Sequence, residues 1–111
     1  MLTANQIRYL LIIREMMGGR DSVRSAEIAR KLNVSRASVH KALESFEGKN
    51  CLGKERYSQV SLTDEGKEAA DRYYELYRQV EERLSPLMNI TSEYCPEICG
   101  FVKLYAESGN V

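Results

Sequence analysis

A mainly α-helical fold, with three short helices, one β-hairpin and two further helices in that order, is predicted by three features of the chain. Apolar residues recur at i, i+3 and i+4 through most of its length. The period drops to two only once, around Gln59–Thr63. Capping residues stand just ahead of the helical stretches, with Thr3, Ser25, Ser35 and Thr63 each followed by an apolar periodic run or an acidic first turn.

The elements follow in order. Thr3 and Gln6 form a capping-box pattern, and Ile7, Leu10, Leu11 and Met17 continue at helical spacing until Gly18-Gly19, so the first helix is expected over about 4–17. Ser25 is expected to cap a short helix through Ile28, Ala29 and Leu32. Asn33 then supplies a residue that tolerates left-handed backbone, and Ser35 is expected to cap a third helix reaching about Lys49. Val60 and Leu62 alternate with Gln59, Ser61 and Thr63 as a strand does, and residues 51–56 make a weaker partner strand with a turn near Tyr57 and Ser58. Thr63, with Asp64 and Glu65 in the first turn, opens a long helix that can run to Ser85, ahead of Pro86. Tyr73, Tyr77, Val80 and Leu84 form a heptad-like seam on it. A last helix is expected from Pro96, with Cys95 at its cap and Ile98, Phe101, Val102 and Tyr105 on one face.

Composition narrows the function classes. A chain of 111 residues, 43% of them hydrophobic, can build one core. Its longest apolar stretch, Tyr9–Ile13, is far short of the ~20 residues of a membrane span. No basic-then-apolar leader opens it, so a cytoplasmic protein is expected. The three cysteines, Cys51, Cys95 and Cys99, are too few and too scattered for a disulfide scaffold and read as free thiols. Net charge is zero, but residues 20–60 carry nine basic and five acidic groups while residues 61–111 carry five basic and ten acidic. A positive half beside a negative half suits a protein that presents one side to a polyanion. Neither a nucleophile paired with a base nor a glycine-rich phosphate loop is present, so catalysis is not expected.

The segment 25–42 carries the sharpest motif. Ala29 is small where two crossing helices would touch, Asn33 stands at the tight turn four residues later, and Ile28, Leu32, Val34, Val39 and Ala42 fall where each would point inward. This is the pattern of a helix-turn-helix, and with the hairpin that follows it becomes a winged helix-turn-helix. The expected division is a DNA-binding unit over 1–66 and a helical region over 67–111. In such a unit the outward residues of the third helix meet double-stranded DNA: Ser35, Arg36, Ala37, Ser38, His40 and Lys41. Arg36 is the preferred base contact, because its guanidinium can donate two bonds to guanine O6 and N7. Lys54, Arg56 and Tyr57 on the hairpin are expected to reach the backbone or the minor groove.

On Tyr9-Leu10, the run Ala26–Ser35 (AEIARKLNVS), Ser38-Val39, and Tyr57 ahead of Val60–Lys67 (VSLTDEGK), the chain resembles the iron- and manganese-dependent repressors of the DtxR/MntR type. The leucine-threonine-x-x-glycine exit from the wing is also found in MarR-type regulators. The resemblance implies a repressor that binds palindromic promoter DNA as a homodimer. It also implies that 67–111 is a dimerisation region, with self-association through the last helices by residues such as Tyr77, Val80, Leu84, Phe101 and Tyr105. The metal-ligand positions of that family fall on Arg8, Leu11, Tyr77, Cys99, Val102 and Lys103, of which only Cys99 is a good ligand. Loss of the metal switch, and no cofactor, are therefore expected. Two other readings stand beside this one: a winged helix used for protein interaction, and a metal or redox sensor built on Cys95 and Cys99.

Overall fold

The computed structural model describes residues 2–53, 58–90 and 93–108. Helix α1 (Ala4–Met17) begins with the capping box read in the sequence: the Gln6 amide donates to Thr3 Oγ1 at 3.1 Å and the Thr3 amide to Gln6 Oε1 at 2.8 Å. Ile7, Tyr9, Leu10, Leu11, Ile12 and Ile13 are all buried, more than one face of a surface helix would supply. The reason is position: α1 packs on three other helices, α3 (Arg36–Glu44), α4 (Asp64–Leu84) and α5 (Pro96–Glu107). It is the central rod of a single apolar cluster that runs from Leu2 to Val102.

Strand β1 (Val23–Arg24) leads directly into α2 (Ser25–Leu32). Ser25 is therefore the first helical residue rather than the cap; Arg24 takes that place without a side-chain bond. Asn33 adopts the left-handed conformation (φ 56°, ψ 49°), and Ser35 caps α3 by accepting the Ser38 amide at 3.0 Å, both as expected. Val34 does not turn inward. The Val34 amide closes the turn onto the Ala29 carbonyl at 3.0 Å, and its side chain is left 37% exposed; Leu32 is only partly buried.

Helix α3 ends at Glu44, five residues short of the expected end. Past Glu44 the bonds tighten to i→i−3, Phe46 to Leu43 and Glu47 to Glu44, and Gly48 takes a left-handed φ of 82°. The buried Gln6 side chain donates to the Ser45 carbonyl at 2.9 Å and to Ser45 Oγ at 3.1 Å, tying this end of α3 to the start of α1. Ser45 Oγ in turn donates to the Ala42 carbonyl, and the chain leaves through turns at 45–50 with Phe46 buried beneath them.

The hairpin predicted over 51–62 is present at its base. Leu52 bridges Leu62, the Gly53 amide donates to the Ser61 carbonyl at 2.8 Å, and the Thr63 amide to the Cys51 carbonyl at 3.0 Å. Beyond it β2 (Gln59–Val60) pairs antiparallel with β1, Val23 opposite Val60 and Arg24 opposite Gln59, an extra strand that sequence reading does not find. Thr63 caps α4 by accepting the Gly66 amide at 2.9 Å. Gly66 is there for space: a Cβ at this position would lie 2.0 Å from the Cys51 carbonyl oxygen, so only glycine lets the start of α4 sit against the wing strand.

Helix α4 turns Ala69, Ala70, Leu76 and Tyr77 inward. Helix α5 starts at Pro96 with Cys95 at its N-cap, as expected, and buries Ile98, Cys99 and Val102 completely. Phe101 and Tyr105 were expected to share that face. They lie 50% and 40% exposed on another one, so α5 has two apolar faces rather than one. All three cysteines are free thiols and buried.

Candidate nucleic-acid interface

Helix α3 is held by Val39, Ala42 and Leu43, which are buried against the rest of the core. That anchoring leaves Ser35, Arg36, Ala37, Ser38, His40 and Lys41 all exposed along the outer side of one helix. The structure thus brings together six of the nine positions proposed for DNA contact. Lys54, Arg56 and Tyr57 lie outside the described residues, but the hairpin base that carries them is fixed beside α2, where the Ser25 amide donates to the Ser58 carbonyl at 2.9 Å.

The local chemistry of the six is uneven. Ser35 Oγ is committed to the cap and also donates to Ser38 Oγ at 3.0 Å, so Ser38 is the serine with a hydroxyl to offer outward. His40 Nε2 lies 3.1 Å from Glu44 Oε1, one turn on, an exposed pairing. Among the described residues, no carboxylate lies within ion-pair distance of Arg36, Lys41 or Arg30, the last on the exposed side of α2. Other basic residues of the positive half are already used within the chain. Arg20 forms a two-point pair with Glu27 at 3.0 and 3.2 Å, whose carboxyl is thereby held below its usual range, and Lys31 Nζ lies 3.1 Å from Glu93 Oε2.

A second exposed surface lies between α4 and α5. Leu76, Val80 and Leu84 from α4 meet Phe101, Leu104 and Tyr105 from α5 around a groove of about 390 Å³, with Gln79 and Arg83 at its edge. Val80, Leu84, Phe101 and Tyr105, four of the five positions expected for self-association, line it. Tyr77 does not. Its hydroxyl accepts the Cys95 amide at 2.7 Å and its ring meets the Tyr94 ring edge-on at 5.3 Å, so it is buried inside the protomer. Leu104, 61% exposed, is a member of the groove that sequence reading passed over. Its i, i+3 relation to Phe101 was the available signal.

The positions where the resemblance would put a metal do not make a site for one. Leu11 and Val102 are wholly buried hydrocarbon with no lone pair. Tyr77 is occupied by the Cys95 amide, and burial pushes its hydroxyl well above the ordinary tyrosine range. Burial also pushes the Cys99 thiol up to about 12, which leaves almost no thiolate at neutral pH. Lys103 pairs with Glu107, and Arg8 Nε donates to the Tyr94 carbonyl at 3.0 Å. Among the described residues, no three His, Cys, Asp or Glu side chains converge as a metal set would.

No family model matches the chain, and no curated protein does. Solved structures do. T. acidophilum IdeR is 25% identical with a TM-score of 0.62, over 100% of this chain and 55% of the IdeR chain. The MarR family protein Rv2887 from Mycobacterium tuberculosis is 19% identical with a TM-score of 0.63, over 97% of this chain and 75% of its own. The adhesin competence repressor AdcR from Streptococcus pyogenes is 20% identical with a TM-score of 0.60, over 99% of this chain and 82% of its own. The present chain thus spans about half the length of IdeR. The fold is a winged helix of the DtxR/MntR-like kind, shared with MarR-family proteins. No helix among the described residues is long and apolar enough to cross a membrane.

Proposed function

We propose that this chain is a sequence-specific DNA-binding transcriptional regulator, a repressor, that acts as a cytoplasmic homodimer and not as an enzyme. The observation that carries the reading is α3. Its inner side is buried through Val39, Ala42 and Leu43, and its outer side offers Arg36, Ala37, Ser38 and Lys41 with no carboxylate paired to either cation among the described residues. Arg36 donates two bonds to a guanine, Ala37 leaves room for a thymine methyl, and Lys41 and the hairpin cations hold phosphates. Residues 1–66 form the DNA-reading unit. Residues 67–111 join two copies through the α4–α5 groove, so that the two α3 helices enter successive major grooves about one helical turn (~34 Å) apart. The fold shared with IdeR and with a protein named as a repressor, AdcR, supports this reading.

The mismatch between the residues present and a metal site supports a regulator that needs neither manganese nor iron. A sensor built on Cys95 and Cys99 is not favoured, because a thiol titrating near 12 is a poor nucleophile and a poor ligand at neutral pH.

The test is fluorescence anisotropy of the purified protein on DNA from upstream of its own gene and on a shuffled duplex of equal length. At physiological salt, affinity for the cognate duplex is expected to exceed that for the shuffled one by about 10³-fold or more. Equal, micromolar, salt-sensitive binding to both would leave only generic attraction to phosphate and overturn the specific reading. No DNA affinity, together with a co-purifying partner chain, would replace it with the protein-interaction reading.

A further inference from the structure

Arg8 places a fixed positive charge at the junction of α1 and α5, at one of the positions that the resemblance assigns to a metal ligand. Its Nε donates to the carbonyl of Tyr94 at 3.0 Å. That carbonyl is no ordinary loop group. Tyr94 is in the left-handed region (φ 48°), an uncommon backbone for a bulky residue, and it immediately precedes the cap of α5. Three other contacts converge on the same turn: the Tyr77 ring against the Tyr94 ring, the Cys95 amide on Tyr77 Oη, and Cys99 Sγ donating to the Tyr94 carbonyl at 3.8 Å. The guanidinium also acts on both nearby acidic groups of α5. Glu97 is held below the usual carboxylate range mainly by the Cys95 thiol and its own backbone, with Arg8 adding to that effect, and Arg8 opposes the upward push of burial on Cys99.

We propose that Arg8 is a built-in cation that ties α1 to the start of α5 through the Tyr94 carbonyl, so that this junction closes permanently and within the chain, without a metal ion that its residues do not fit. The inference rests on the regulator reading and names its regulation: the junction closes without a metal. The chemistry fits the role. A guanidinium stays charged at every physiological pH, donates several bonds in a fixed fork, and cannot dissociate as an ion can. It also repels any divalent cation that approaches the same spot. Because α1 packs on both α3 and α5, a closed junction bears on the placement of α3 as well.

The experiment uses the full chain and two readouts that need no DNA. The first is the melting temperature with manganese chloride or with chelator. The second is the labelling rate of Cys99 by a thiol reagent, mapped by peptide mass spectrometry and read beside amide hydrogen exchange. Wild-type protein is expected to show the same melting temperature in both solutions. Arg8→Met, which keeps the stem but loses charge and donor, is expected to speed Cys99 labelling about tenfold, as local opening of the start of α5 predicts. Exchange at Ile28 in α2 is expected to stay unchanged. Arg8→Lys, which keeps the charge, is expected to stay within about threefold of wild type. DNA affinity of Arg8→Met is expected to fall several-fold and not to recover with manganese.

A rise in wild-type melting temperature with manganese overturns the proposal, and so does unchanged Cys99 labelling in Arg8→Met. Faster exchange spread evenly over the chain in that variant overturns it too, because Arg8 would then be supporting general stability and not one junction. Absence of specific DNA binding by the wild type would remove the regulator reading while leaving the junction readouts unaffected.

Discussion

Helices α3 and α5, nine and twelve residues long, both expose at least half of their residues, yet they are built in opposite ways. α3 buries apolar side chains and shows polar and cationic ones. α5 buries Ile98, Cys99 and Val102 and shows Phe101, Leu104 and Tyr105. The outer side of α3 carries the chemistry that suits a charged, hydrated ligand. The exposed large hydrophobic residues of α5 beside a groove are of the kind that marks a protein-contact surface. The two regions therefore point to two kinds of partner, a polyanion for one and another protein surface for the other. Removing side chains from each should affect different measurements.

The largest effect is expected at the joint between the two regions. Gly66→Ala drives a methyl group to 2.0 Å from the Cys51 carbonyl oxygen, where backbone and not a flexible side chain must give way. A loss on the order of 3 kcal/mol or more is expected in urea unfolding. If the variant is as stable as wild type, the wing strand and α4 are not locked together, and the two regions move independently.

Next come the two faces of α5. Ile98→Ala, in the closed core, should cost about 2–5 kcal/mol of protomer stability. Leu104→Ala should change protomer stability by no more than about 0.5 kcal/mol, because the side chain is already largely in water. It should instead raise the dimer dissociation constant at least about tenfold in sedimentation analysis. A Leu104→Ala protein that is destabilised as a monomer, with unchanged self-association, would erase the distinction between the faces.

On α3 the contrast is between two cations. Arg36→Ala should cost on the order of 1–3 kcal/mol and relax preference at one base position of each half-site, whereas Lys41→Ala should weaken binding to every sequence and lower the salt slope by about 1. Measuring both variants on a panel of single-base operator changes separates them. Equal losses on all sequences for Arg36→Ala would demote it to a phosphate contact.

What could be read in advance follows from the range of the interactions involved. Thr3, Asn33, Ser35 and Thr63 act within three or four residues of themselves, so the start of α1, the end of α2 and the starts of α3 and α4 were legible. The exposed run of α3 was legible for the same reason, since helical period alone separates Val39 and Ala42 from Arg36 and Lys41. The end of α3 was set too late: Gly48, left-handed at φ 82°, was a local signal for it, whereas the Gln6 bond that holds Ser45 comes from 39 residues away and has none. Strand β1 is two residues long, too short to show any period, and exists only because Gln59–Val60 lies beside it. Tyr77 fits the heptad seam by spacing, but the Cys95 amide claims its hydroxyl, and nothing local to either residue signals that bond. The α4–α5 groove was half legible: Val80, Leu84, Phe101 and Tyr105 were placed on it, while the division of α5 into two faces depends on how α1 docks against it.

The smallest expected effect is also the most discriminating, because Ser35 serves the fold and borders the proposed interface at once. Ser35→Ala removes the acceptor of the Ser38 amide and should cost about 1 kcal/mol of stability. Ser35→Asp keeps that acceptor and adds a negative charge at a helix N-terminus, where it complements the dipole, so stability should match wild type to within about 0.5 kcal/mol. The same charge would face the phosphates of a bound duplex. Affinity for DNA should then fall about tenfold or more in the aspartate variant while its urea midpoint stays in place. If Ser35→Asp binds DNA as wild type does, the start of α3 does not face the duplex, and the contrast between a polar reading helix and an apolar pairing helix loses its first half.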